Sequence, residues 1–143
     1  MDENQLSQIL SRIDKLEVGA QAKFGKMNSH QMVCHVSDQI RVALGIKTDV
    51  VSGGMEPKEV IEKSLAGEFV PTPKGLGQVE GDGTKPLDFE EDKSVLKDLL
   101  SDIFNRKESF PFSPHPYLGP LPKFKWLRVT SFHCDHHLKQ FGV

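Results

Sequence analysis

The chain has 143 residues, 18 of them lysine or arginine against 20 aspartate or glutamate, for a net charge of -2 with neutral histidine. That is the length of one domain with a real core, so a single domain over residues 1–143 is expected. No basic stripe tracks a phosphate backbone and no run of about 18 apolar residues could span a bilayer, which argues against nucleic-acid and membrane partners. The opening MDENQLSQIL is acidic and polar with no apolar signal region, and Cys34 and Cys134 form neither a disulfide framework nor a CxxC pair. A reduced, cytoplasmic protein is the expectation.

Four long helical stripes and little alternating strand pattern follow in chain order. Leu6, Ile9, Leu10, Ile13 and Leu16 make the first, ending near Gly19. Asn28 with Gln31 reads as a capping box opening the second, which carries Met32, Val33, Val36, Ile40, Ala43 and Leu44 up to a Gly45 stop. A short accessory helix is expected from Pro57 to Ala66. Residues 71–88, PTPKGLGQVEGDGTKPLD, hold four glycines and three prolines and read as a long loop. Its GxGxxxG spacing lacks the preceding strand and following helix of a dinucleotide fingerprint. Asp88 with Glu91 opens the third long helix, built on Val95, Leu96, Leu99, Leu100, Ile103 and Phe104, with most of its charged residues on a wet face. The fourth starts around Pro122 and stops at Gly142. The expected fold is all-α, a four-helix bundle with a long crossover between the second and third long helices.

The chemistry concentrates in the last helix. Phe124, Leu127, Ser131, Cys134, Leu138 and Phe141 step by 3 and 4 as a packing seam, and Trp126, Thr130, His133, His137 and Gln140 run beside it. His133 and His137 are four apart, the spacing that lets two imidazoles reach one ion; His136 points about 100° away. On the second helix His35 holds the same offset from the seam Val33, Val36, Ile40 and Ala43. If the two helices face each other, three imidazoles converge, the donor set of an open catalytic metal site rather than a closed structural one. Cys34 and Cys134 each adjoin a proposed ligand and diverge from it, so both read as small buried apolar residues. Gln39, Thr130 and Gln140 stand either as partners orienting the imidazoles or as plain polar helix positions. Asp135 faces away. In the loop FPFSPHPYLGPLP, His115 could supply an acid or base beside a pocket walled by Phe112 and Tyr117; the plainer alternative is that the loop only sets the entry angle of the last helix.

The segments GKMNSHQMVCHVSDQIR, HPYLGPLPKFKW and FHCDHHLKQFGV resemble the signature segments of a domain-of-unknown-function branch of the DinB-like superfamily, over nearly the whole chain. The HxxHHxxQFG ending and the HPxxGxL loop are the more specific pieces. The resemblance implies a DinB-like four-helix bundle with a metal triad of one histidine from the second helix and an HxxxH pair from the fourth, which here are His35, His133 and His137. Relatives in the wider superfamily include metal-dependent thiol transferases and a mycothiol-dependent isomerase.

Two classes of function are expected. In the first, the protein is a metal-dependent enzyme whose divalent ion, zinc foremost with nickel or iron as alternatives, lowers the pKa of water or of a substrate thiol. Thiol transfer or hydrolysis of a small-molecule substrate, with a low-molecular-weight thiol as partner, fits this class. In the second, the bundle is a non-catalytic metal-binding or interaction module. A homodimer is left open.

Overall fold

A computed structural model describes residues 1–143 and contains five helices and no strand: α1 (Glu3–Asp14), α2 (Ser29–Ala43), α3 (Pro57–Ala66), α4 (Phe89–Asn105) and α5 (Lys123–Gln140). The helix boundaries follow local chemistry. Asp2 and Gln5 form a reciprocal capping box at α1, as Asn28 and Gln31 do at α2. Asp88 caps α4 by accepting from the Glu91 N–H, without the reciprocal bond expected there. α3 begins on Pro57 and ends on left-handed Gly67, while Gly45 and Gly142 take positive φ just beyond α2 and α5.

α1 packs on α4 and α5, and α2 packs on the same two helices. The shared core holds Ile9 and Ile13 from α1, Val33, Val36, Ile40 and Ala43 from α2, Leu96, Leu100 and Ile103 from α4, and Trp126, Cys134 and Leu138 from α5. Leu16 lies past the end of α1 yet stays buried. No helix is long and apolar enough to cross a membrane.

Two expectations are corrected. On α5 the expected seam is only half right: Phe124 is 63% exposed and Ser131 half-buried, whereas Trp126 and Thr130 on the neighbouring stripe are sealed. The chain enters α5 with its indole turned inward, where Trp126 Nε1 donates to the Ser113 carbonyl at 3.2 Å. On α4 the charged face is not uniformly wet. Lys93 is buried and its Nζ donates to the Leu16 carbonyl at 3.0 Å, placing a cation where the chain leaves α1 with unpaired carbonyls. The glycine-rich stretch is the loop expected, and it packs onto the helices through the buried Leu76 and Gln78. Gly75, at φ +96°, lets it pass so close to the backbone of Asp49 that a Cβ would lie 2.8 Å from that residue's oxygen.

Candidate metal centre

α2 and α5 bring together the three histidines that spacing selected. His35 Nε2 lies 3.1 Å from His133 Nε2, and His137 Nε2 lies 3.1 Å from the same atom. Two nitrogens bound to one tetrahedral zinc at about 2.05 Å sit roughly 3.3 Å apart, so the spacing matches a shared ion closely. His137 is buried; His35 and His133 are partly buried.

Hydrogen bonding decides which nitrogens carry protons. His35 Nδ1 faces the Leu76 carbonyl at 3.1 Å, which can only accept, so Nδ1 holds the proton and Nε2 presents a lone pair. His137 Nδ1 faces Gln140 Oε1 at 2.9 Å. The orientation of that amide is set from its other end, where Gln140 Nε2 donates to the Phe24 carbonyl at 2.6 Å. A Cβ on Gly25 would lie 2.5 Å from Gln140 Nε2, so glycine there makes room for the amide. His137 Nε2 is therefore also a bare lone pair. A neutral His133 has one ring proton, and at Nε2 it satisfies at most one of its two neighbours. His133 Nδ1, meanwhile, is buried with no partner. Protons alone leave the cluster short; a cation shared by three Nε2 lone pairs would satisfy all three of those atoms, with the His133 proton then on Nδ1.

The electrostatics favour neutral, ligand-ready rings. Burial pushes His137 down to about 3, with His35 adding to the shift. Burial likewise holds His133 well below the ordinary histidine range, helped by His137 and His35, and lowers His35. His136 is exposed and outside the cluster, with its ring 5.0 Å edge-on from His137 and 5.2 Å from Phe24. Asp135 faces away, paired with Arg12 at 2.8 Å and Lys139 at 2.7 Å.

Residues 75–142 match the family described as "Protein of unknown function (DUF1569)". The matched span is slightly less than half of the chain. It takes in the DUF1569 counterparts of α4, His115 and the His133–His137 pair, and stops short of α2 and His35. No curated protein and no solved structure matches the chain.

Within the DUF1569 span, His115 sits in a tight turn closed by backbone bonds to Gly119 in both directions, at 2.8 and 3.0 Å. Its Nδ1 accepts from the Tyr117 and Leu118 N–H groups at 3.1 and 3.2 Å, which puts the ring proton on Nε2. Burial lowers the ring to about 4. His115 is thus a neutral ring at ordinary pH, with its N–H at Nε2. It borders a cavity of about 560 Å³ with Lys47, Ser52 and Tyr117; neither Phe112 nor the three histidines line it.

Of the polar positions left open, Gln140 orients His137. Gln39 Oε1 and Thr130 Oγ1 are buried without partners, one helical turn from His35 and His133. Sequence reasoning missed the Leu76 carbonyl, because a backbone acceptor leaves no mark in residue identity. It also missed Asp38, fully buried on α2 and bonded to Thr84 and Arg41. The only signal for Asp38 was an acidic residue on the packed side of an amphipathic helix.

Proposed function

We propose that this protein is a metal-dependent enzyme in which His35, His133 and His137 hold one divalent ion, most simply zinc, in a DinB-like four-helix bundle. The observation that carries the reading is the convergence of three Nε2 atoms with the tautomers of His35 and His137 set from outside. The bundle reading rests on the pairing of helix ends: His30 at the start of α2 meets Asp92 at the start of α4, and Lys93 at the start of α4 meets the carbonyls that end α1. Neighbours α2 and α4 then run the same way. α2 is about 22 Å long at 1.5 Å per residue, so residues 44–88 serve as the crossover that returns the chain to the same end.

An ion bound by three imidazoles supplies Lewis acidity that lowers the pKa of water or a thiol in the remaining position. The chain's own residues do the rest. Leu76 and Gln140 hold two rings in the tautomer that offers Nε2, and burial keeps all three neutral. His115 offers an N–H to a polar substrate group at the neighbouring cavity. Gln39 and Thr130 present two buried oxygens without partners, suited to a donor on the substrate. Thiol transfer to an electrophile, or hydrolysis, fits this equipment, with a low-molecular-weight thiol as the first co-substrate to test.

A second reading, a non-catalytic metal-binding module, is favoured by one observation: the cavity beside His115 is not lined by the triad. Metal analysis of protein purified without a histidine tag comes first. The metal-loaded protein is then assayed with thiols plus electrophilic acceptors, and separately with esters and amides, against a His137→Ala control. Turnover that disappears in the control supports the enzyme. Turnover unchanged in it would remove the metal from the chemistry, and bound metal with no turnover on any substrate class favours the module.

A further inference from the structure

Cys34 immediately precedes His35, so its side chain leaves α2 about 100° away from the triad and meets different neighbours. Its Sγ lies 3.7 Å from Asp92 Oδ2 on α4. His30, one turn earlier, sets Nε2 2.7 Å from the same oxygen, and the Leu87 N–H donates to it at 3.1 Å. One ligand atom from each of His30, Cys34 and Asp92 falls within 4.8 Å of the others. His30 and Cys34 share the four-residue spacing of His133 and His137, here with a soft sulfur in place of one imidazole.

We propose that His30, Cys34 and Asp92 form a second divalent-cation site of the zinc class, with imidazole, thiolate and carboxylate donors, separate from the three-histidine centre. It rests on its own geometry and stands whether or not that centre is catalytic. Sulfur and oxygen bound to one tetrahedral zinc at about 2.3 and 2.1 Å lie roughly 3.6 Å apart, near the distance seen between Cys34 and Asp92. Nitrogen and oxygen need about 3.4 Å by the same geometry, so the His30–Asp92 contact opens by roughly 0.7 Å. Asp92 can supply that movement, because all three of its contacts fall on Oδ2 and Oδ1 is left to turn.

Binding is a proton exchange. The Cys34 S–H bond breaks, its proton leaves to solvent, and the sulfur electron pair forms the metal bond; His30 Nε2 gives up the proton it directs at Asp92 Oδ2 and binds the ion through the freed lone pair, the ring proton then being on Nδ1. Burial, reinforced by Asp92, pushes the thiol up to about 12, so without a cation Cys34 is protonated and no nucleophile. The side chains of His30 and Asp92 are each 18% exposed, which gives an ion a way in from solvent. An ion here would tie the start of α2 to the start of α4.

Cobalt(II) titration of metal-stripped protein tests this, because the three-histidine centre has only nitrogen donors. A near-ultraviolet thiolate-to-cobalt charge-transfer band therefore reports the second site alone. The expected result is two bound equivalents with that band in the unaltered protein. Cys34→Ser and His30→Gln should each lose the band and one equivalent, while His137→Ala keeps the band and loses the other equivalent. His30→Gln lies at a partly exposed edge and serves where Cys34→Ser fails to fold. An unaltered protein that binds cobalt without the band overturns the site, as does a band that survives Cys34→Ser. Loss of nitrogen-only binding with the band intact would count against the three-histidine centre instead.

Discussion

Gln140 shows how one side chain sets the chemistry of another. Its amide cannot flip, because Nε2 must face the Phe24 carbonyl and Oε1 is thereby fixed against His137 Nδ1. Gln140→Ala should weaken zinc binding about 10- to 100-fold, the usual effect of losing a partner that orients a metal-bound imidazole. Competition with a chromogenic chelator measures it, and His136→Ala, on the exposed face, should leave affinity unchanged. Equal losses in both variants would mean that the orienting bond is unimportant. Thr130 separates structure from function more sharply. Its hydroxyl is fully buried with no partner, a state that costs about 1–3 kcal/mol. Thr130→Val keeps the shape and removes the unpaired group, so denaturant unfolding should show equal or greater stability. If that oxygen receives a substrate donor, kcat/KM falls while stability does not. A stability loss above about 1 kcal/mol would show that Thr130 has a partner in the protein after all. At this scale the sequence made the three-histidine cluster legible, because helical spacing translates directly into a shared face. Which of Gln39, Thr130 and Gln140 touches a ring depended on side-chain reach and on a glycine more than a hundred residues away.

At the scale of elements, the loop that precedes α4 is held by one buried carboxylate. Asp38 Oδ2 accepts from the Thr84 N–H at 2.8 Å, and Oδ1 accepts from Thr84 Oγ1 at 2.6 Å and from Arg41 Nη1 at 3.0 Å. Gln78 Nε2 then donates to the Thr84 carbonyl at 2.9 Å, closing the loop that lays the Leu76 carbonyl on His35. Asp38→Ala strands Arg41 and Thr84 and should destabilise the fold by about 3–5 kcal/mol, the range for breaking a buried ion pair from one side. Because the loop orients His35, zinc affinity should fall as well. A variant that loses stability but, where still folded, binds zinc as tightly as before would show that His35 is positioned by α2 alone. Helix caps and apolar stripes were readable in advance because each is encoded within a few residues. The loop's path was not, since breakers such as Gly75 and Pro73 announce irregular backbone without saying where it goes. The α5 seam misled for a related reason: two adjacent stripes of similar period are distinguished only by what packs on them.

For the whole molecule, the buried imidazoles make stability depend on acid. Burial lowers His137 to about 3 and His115 to about 4, and holds His133 and His35 below their ordinary value. In the unfolded chain each takes up a proton near 6.5. Between that pH and the folded values the unfolded state binds more protons, so the stability of metal-free protein must fall as pH falls. The loss is up to about 1.4 kcal/mol per pH unit for each ring that stays neutral. Four such rings would remove roughly 5 kcal/mol per unit, comparable with the whole stability of an ordinary domain. Above pH 6.5 these rings contribute no slope. Asp92 is also held low: burial alone would raise it, but the Leu87 N–H and His30 outweigh that. Its own loss sets in as pH falls into the ordinary carboxylate range, about 4, and adds to the lower end of the histidine window. Metal-free protein should therefore unfold cooperatively one to three units below pH 6.5, as estimated from these slopes, and urea titrations at a series of pH values would trace the approach. Zinc binds only the folded, deprotonated rings and should move the acid midpoint downward. His137→Gln replaces a titrating ring by a neutral amide, and should reduce the slope between pH 4 and 6.5 by up to one proton. An unchanged slope in that variant would mean that His137 takes up its proton at about 6.5 in the folded chain as in the unfolded one, so that burial does not hold the ring neutral below that pH.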